Sequence, residues 1–215
     1  LNQEYLDIFF LHKWDDNIDL IETFKELRKL KDENKFFHLG VSNFSAWQTV
    51  KSQSISEKIG GPEIEILQPM YNLIKRQAEV EIIPMSLKEN FSIISYSPLG
   101  GGLLTGKYER KTNDDSRLNI DKKYFKRYSH KFMREATSKL VQFSKSKNLN
   151  PSILAISWVA KNPAITAPII SARNFKQLKT SLDSISFKIS DGVYEFLNSL
   201  APTPPPATDR LEEQL

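Results

Sequence analysis

Residues 5–41 read YLDIFFLHKWDDNIDLIETFKELRKLKDENKFFHLGV, and this stretch decides the fold. Residues 5–11 are apolar except for Asp7 and rich in β-branched and aromatic side chains, which fits a strand buried on both faces. Asp16 and Asn17 follow as candidate helix N-caps. Ile18, Ile21, Phe24, Leu27 and Leu30 then recur at three-residue steps and place one apolar stripe along an amphipathic helix. Residues 36–41 turn apolar again and predict a second strand. Strand, helix and strand in succession make a βαβ unit, whose strands pair in parallel through a right-handed crossover.

The alternation continues along the chain. A helix is expected at 45–58 with Ser45 as its cap, a strand at 64–68, a helix at 78–89 and a strand at 92–96. A glycine-rich loop runs through Gly106. After a polar insertion come helices at 131–146 and 151–161, the second with Pro151 at its first position. A fifth strand is expected at 165–170, a helix at 174–185 and another at 191–200. This order predicts an α/β architecture. No G-x-G-x-x-G follows an early strand, so a (β/α)8 TIM barrel is favoured over a doubly wound sheet. Eight strand-helix units typically need about 250 residues, and about five are present here. Residues 1–200 are read as the barrel portion. Residues 201–215, with Pro202, Pro204, Pro205 and Pro206, are read as an extended tail.

Composition excludes several classes. The 215 residues include no cysteine, which rules out a disulfide scaffold and a thiolate metal site. No apolar run approaches the roughly 18 residues of a membrane span, and no signal peptide is recognisable. A cytoplasmic protein with no membrane partner is expected. Lys and Arg outnumber Asp and Glu by 30 to 26, and much of the excess lies at 122–134, interleaved with Tyr124, Phe125, Tyr128 and Phe132. This patch is read as a solvated helix with its aromatics toward the core, so no nucleic-acid partner is expected.

In a (β/α)8 barrel, functional residues gather where strands end and loops begin. Polar residues stand at all five such points: His12, then Ser42 and Asn43, Gln68, Tyr96 and Ser97, and finally Ser171 and Arg173. Any one of them alone could be an ordinary cap or turn residue. His38 and His130 have no comparable context and are read as surface or structural.

Five segments, Tyr5-Leu-Asp-Ile-Phe-Phe-Leu-His12, Gly40-Val-Ser-Asn-Phe44, Gln68-Pro-Met-Tyr-Asn72 with Arg76 and Glu79, Tyr96-Ser-Pro-Leu-Gly-Gly-Gly-Leu-Leu-Thr-Gly-Lys-Tyr108, and Pro168-Ile-Ile-Ser-Ala-Arg173 with Gln177, resemble successive motifs of the aldo-keto reductase family, from its fourth barrel strand to its end. The resemblance implies an NADP-dependent oxidoreductase that reduces aldehydes or ketones by hydride transfer, with a small carbonyl compound as substrate. It assigns Ser42, Asn43 and Gln68 to the nicotinamide carboxamide, whose one acceptor and two donor hydrogens suit side-chain amides and a hydroxyl. Tyr96 would stack on the nicotinamide ring; its alternative is a barrel-core aromatic.

By the same resemblance Ser97, Pro98, Leu99, Gly100, Gly102, Leu103 and Lys107 belong to the loop over the cofactor diphosphate, where glycines let backbone N–H groups approach an anion. Ile170, Ser171, Ala172, Arg173, Gln177 and Ser181 form the adenosine site. Arg173 would meet the ribose 2′-phosphate, which favours NADP over NAD. Ser171 stands where the family often has glycine, and Ser181 where it often has asparagine. His12 matches the active-site histidine that orients and polarises the carbonyl.

The family's proton-donating tyrosine and its supporting lysine and aspartate belong upstream of its fourth strand, and no tyrosine here matches that role. The chain is therefore expected to be N-terminally truncated and nearly inactive alone. The alternative is a non-catalytic partial barrel that binds a nucleotide or a protein partner. Neither the loop around Trp14 nor residues 111–121 selects a substrate, and subunit number is not legible.

Overall fold

The computed structural model describes residues 2–109 and 116–208. Residues 110–115 of the polar insertion and 209–215 of the expected tail lie outside the described residues, and 201–208 carry no helix or strand. Strands β1 (Leu6–Leu11), β2 (Phe36–Ser42), β3 (Ile64–Gln68), β4 (Ser92–Ser95) and β5 (Ala167–Pro168) form one sheet in chain order. The β1–β2, β2–β3 and β3–β4 ladders are all parallel. Helices α1 (Leu20–Asp32), α2 (Ala46–Ile59) and α3 (Ile82–Glu89) make the crossovers of the first three ladders. A five-stranded α/β sheet of this order is part of a (β/α)8 barrel. The chain divides into two compact units: Leu1–Pro69 with Ala78–Ile94, and Met70–Gln77 with Ser95–Leu215.

In the first unit the core forms where β2 and β3 meet α1 and α2. Phe24 and Leu27 of α1, Phe36, Leu39 and Val41 of β2, and Ile64 and Leu67 of β3 are buried. β1 departs from the expectation of a strand buried on both faces: none of its residues is buried, and Ile8 is 37% exposed. It is the edge of the sheet and pairs only with β2 among the described residues. An apolar sequence records what a strand can bury, and burial still requires a neighbour on each side.

The start of α1 also differs. Asp19, not Asp16 or Asn17, caps it by accepting the Ile21 N–H at 2.8 Å. Asp15 instead accepts both the backbone and the side-chain N–H of Asn17, closing a local turn. Ile18 therefore lies before the helix and is 60% exposed, outside the stripe assigned to it. At α2 the expected cap is present as a capping box. The Ser45 hydroxyl accepts the Gln48 N–H, and the Gln48 side chain accepts the Ser45 N–H at 2.8 Å. Ser45→Ala should lower stability by about 1 kcal/mol in urea titration, and Ser45→Asn by much less. Equal losses for the two would mean that capping does not set this terminus.

The second unit is mostly helical: α4 (Arg117–Ile120), α5 (Lys122–Arg127), α6 (Lys131–Ser146), α7 (Pro151–Lys161), α8 (Phe175–Ser186) and α9 (Asp191–Asn198). Pro151 opens α7 as expected, beside the Asn150 cap. The strand expected at 165–170 shrinks to two residues. Pro168 has no N–H to give a ladder, and the segment is held by the Ile169 N–H donating to the Ser95 carbonyl at 2.7 Å. The patch at 122–134 is helical, but its aromatics do not all face inward: Tyr128 is 1% exposed and Phe125 50%.

Candidate active site

In the first unit, His12, Ser42, Asn43 and Gln68 come together at the ends of β1, β2 and β3. The Ser42 hydroxyl, buried at 2% exposure, donates to the Gln68 carbonyl at 3.0 Å and lies 3.5 Å from the Gln68 Oε1. Asn43 donates its side-chain amide to the Ser42 Oγ at 3.1 Å and to the His12 carbonyl at 2.9 Å. It does so from a left-handed backbone, φ 57°, a conformation that asparagine tolerates better than most residues. Three strand ends are thus tied by one short chain of hydrogen bonds. The His12 ring itself is exposed.

A cleft of about 190 Å³, with open solvent at its mouth included, is lined by Val41, Phe44 and Leu67 together with Asn43 and Gln68. Asn43 and Gln68 bring the polar strand ends to its lining. Beside them stands a feature that motif reading passed over. Trp14 meets Phe44 edge-on at 5.4 Å and Trp47 at 5.5 Å, and its indole N–H donates to Asp16. The three rings come from two loops and a helix start, so only the tertiary fold assembles them.

In the second unit the glycine loop has the geometry expected of close backbone approach. Gly100, Gly101 and Gly102 all lie at positive φ, 56°, 64° and 90°. Ser97, at φ 60°, shares that strain without glycine's freedom. It is held by two bonds to its carbonyl, from the Gly100 N–H at 3.0 Å and from the buried Asn72 side chain at 2.9 Å. Tyr71 fastens the same turn by donating its N–H to the Tyr96 carbonyl at 3.3 Å. The motif 68–72 therefore contributes to both units: Gln68 to the polar strand ends, Tyr71 and Asn72 to the loop.

Partial burial raises the pKa of the Tyr96 hydroxyl, against a smaller opposing pull from the positive charge of Arg127. Pro98 and Gly100 are buried, while Lys107 is exposed with its ammonium 4.9 Å from the Tyr108 ring centroid. At the start of α8, the Arg173 N–H donates to the Gln177 Oε1 at 3.0 Å and Asn174 caps the helix. Ser171, Ala172, Arg173 and Gln177 are exposed together, whereas Ser181 is 4% exposed. Among the described residues there is no group of three acidic or histidine side chains placed to hold a metal, and no helix is long and apolar enough to cross a membrane.

The chain is similar to several known oxidoreductases. The chain is 28% identical over 207 residues to the uncharacterized oxidoreductase YrpG of Bacillus subtilis, covering 95% of this chain and 61% of that protein. It is 27% identical over 210 residues to the protein tas of Escherichia coli, covering 90% of this chain and 61% of that one. A third relative is the L-glyceraldehyde 3-phosphate reductase of Escherichia coli O157:H7, 28% identical over 188 residues, which cover 85% of this chain and 54% of the relative. The chain thus spans about three-fifths of the length of its first relatives. The family model for aldo/keto reductases matches residues 1–202, nearly the full length, and the chain belongs to the aldo/keto reductase family.

Proposed function

We propose that this chain is the cofactor-binding part of an NADP-dependent oxidoreductase that reduces a small aldehyde or ketone to the alcohol. The observation that carries the reading is the hydrogen-bonded group of Ser42, Asn43 and Gln68 at adjacent strand ends, in a chain of the aldo/keto reductase family. A nicotinamide cofactor, when bound, supplies the hydride. The residues present fit such a group. Among the described residues nothing engages the Gln68 side-chain N–H groups, and Gln68 is held by the buried Ser42 hydroxyl at its other end. The amides of Asn43 and Gln68 and the Ser42 hydroxyl match a carboxamide, which offers both donors and an acceptor. The Tyr96 ring supplies a flat face for the nicotinamide. The strained turn 97–102 supplies close backbone for a diphosphate.

Arg173, exposed beside Gln177, supplies the fork of donors that a 2′-phosphate favours, which supports NADP over NAD. His12 donates a hydrogen bond to the substrate carbonyl oxygen and draws charge from its carbon. No tyrosine of this chain matches the family's proton donor, so the task of these residues is binding and orientation. One relative is named for reducing L-glyceraldehyde 3-phosphate, which supports a small aldehyde as substrate. The absence of cysteine supports a cytoplasmic setting.

Fluorescence titration with NADPH tests the reading. The wild-type chain should bind saturably, Gln68→Ala should raise Kd about ten-fold, and Arg173→Ala should erase the preference for NADPH over NADH. No saturable binding by a chain with native far-UV circular dichroism would sink it.

A further inference from the structure

We propose that Asn72 is a positioning residue for the cofactor: its side-chain amide holds Ser97 in a left-handed conformation and so sets the direction in which the chain leaves Tyr96 for the glycine loop. The ligand's identity rests on the reading above; the fastening itself does not. Met70 pairs with Tyr96 as an isolated parallel bridge just beyond β4, and the Tyr71 N–H donates to the Tyr96 carbonyl at 3.3 Å. At the next residue this backbone pairing stops. The Asn72 N–H and carbonyl are both spent on Lys75, at 3.2 and 3.0 Å, in a turn of their own. The Ser97 carbonyl is met instead by the Asn72 side chain, whose Nδ2 donates to it at 2.9 Å. The Ile74 N–H donates to the Oδ1 of the same amide at 3.1 Å. A carbonyl only accepts and an N–H only donates, so these two partners fix which way the amide faces.

Burial and strain separate this fastening from an ordinary turn contact. Asn72 has no exposed surface, and Ser97 stands at φ 60°, a backbone that is costly for any residue with a side chain. Strain of this kind persists only where the surroundings over-determine it, and it gathers at ligand sites. Here the strained residue stands between the two features assigned to the cofactor. Tyr96 comes immediately before it, and the three glycines at positive φ, Gly100, Gly101 and Gly102, follow. Tyr128 backs the same node: it is buried, with its ring 3.5 Å from where a Cβ of Gly100 would stand. Burial pushes its hydroxyl pKa up to about 12, against smaller pulls from the Arg127 charge and from hydrogen bonds with Asn72 and Ser97. The hydroxyl is therefore neutral at neutral pH, and the node carries no charge that titrates there. When the Asn72 donor is lost, Ser97 relaxes toward negative φ, and the Tyr96 ring and the glycine turn leave their places together.

Asn72→Ser isolates the donor, because a serine hydroxyl still accepts the Ile74 N–H within the turn but is too short to reach Ser97. Two probes then separate positioning from packing: NADPH, and adenosine 2′,5′-bisphosphate, which has neither the diphosphate nor the nicotinamide. In fluorescence titration the NADPH Kd should rise about ten-fold, and that of the bisphosphate should change by less than about two-fold. Amide exchange by NMR with no ligand present reads the turn directly. The Gly100 N–H, bonded to the Ser97 carbonyl at 3.0 Å, should exchange about ten-fold faster, and that of the buried Leu154 in α7 should not change. Glycine adopts the left-handed backbone without a fastener, so in a Ser97→Gly chain Asn72→Ser should raise the NADPH Kd by less than about three-fold. A residue that served packing alone would be indifferent to that glycine. Asn72→Asp keeps the shape and the acceptor and loses the donor, and should behave as Asn72→Ser does. Equal weakening of both probes, unchanged NADPH affinity, unchanged exchange at Gly100, or an undiminished effect in the Ser97→Gly chain each overturns the proposal. Failure of both Asn72 variants to fold, read by circular dichroism, also overturns it and assigns the residue to stability. Absence of NADPH binding by the wild-type chain sinks the cofactor reading instead, and exchange at Gly100 then decides alone whether Asn72 holds the turn.

Discussion

Trp158→Ala should cost about 3–5 kcal/mol and lower the melting temperature of the chain by about 10 °C. Trp158 lies on α7 with no exposed surface and is among the largest fully buried side chains. Its indole is packed on several sides. Tyr71 lies 5.1 Å away at a tilt, Tyr194 stacks at 6.1 Å, and the Arg76 guanidinium sits 5.5 Å from the ring. The indole N–H donates to the Asn198 Oδ1 at 2.8 Å, and Arg76 donates to the carbonyl of the same Asn198 at 3.0 Å. Truncation to alanine leaves a cavity and strips a partner from Asn198, so a transfer loss and a hydrogen-bond loss add. Trp158→Phe keeps a ring and loses the N–H, and should cost about 1–2 kcal/mol. Circular dichroism during urea and thermal unfolding measures both. The same probe avoids the fluorescence change that removal of a tryptophan brings. A loss below about 1 kcal/mol for the alanine variant would mean that this aromatic cluster is not the centre of the second unit.

The elements that the sequence announced well are those whose signal is local and periodic. Phe24 and Leu27 are buried on α1 as their spacing requires, and Ser45 and Gln48 make the capping box that their types permit. The start of α1 was misread because Asp15, Asp16, Asn17 and Asp19 all carry cap-forming side chains, and only geometry decides which one reaches a helical N–H. The run 165–170 is apolar enough for a strand. Ala164 and Ile165 are instead buried before β5 begins, and Pro168 limits the ladder that follows.

Of the candidate site, the strand ends were legible because a parallel sheet of this kind places its loops at one end of every strand. The hydrogen-bond chain from Gln68 through Ser42 and Asn43 to His12 adds what no motif states: the Asn43 amide spends its donors within the protein. The Trp14, Phe44 and Trp47 cluster and the pairing of Arg117 with Arg127 on Tyr124 were not legible. Each depends on where separate loops and short helices come to rest, and residue types alone carry no such distance.

Gly106→Ala should destabilise the chain by about 2–4 kcal/mol, for two reasons that can be separated. Gly106 ends the glycine loop at φ 78°, where its N–H donates to the Leu103 carbonyl at 3.0 Å. A side chain in the left-handed region costs about 1–2 kcal/mol. The new methyl would also stand 2.5 Å from the Val141 Cγ2, on a residue of α6 that is only 7% exposed, and overpacking of this kind costs about 1–3 kcal/mol. Val141→Ala removes the opposing methyl, so the double variant should recover the steric part and keep the conformational part. A double-mutant cycle then shows a coupling of about 1–2 kcal/mol. Gly192→Ala is the control: it lies in α9 with nothing within 4 Å of its Cβ position, and should be neutral or stabilising by up to about 1 kcal/mol. If Gly106→Ala and Gly192→Ala behave alike, the left-handed turn is not what shapes the loop. If the cycle shows no coupling, α6 does not press on it. Full recovery in the double variant would assign the whole cost to Val141 and make the glycine at 106 a matter of space, with backbone freedom contributing nothing.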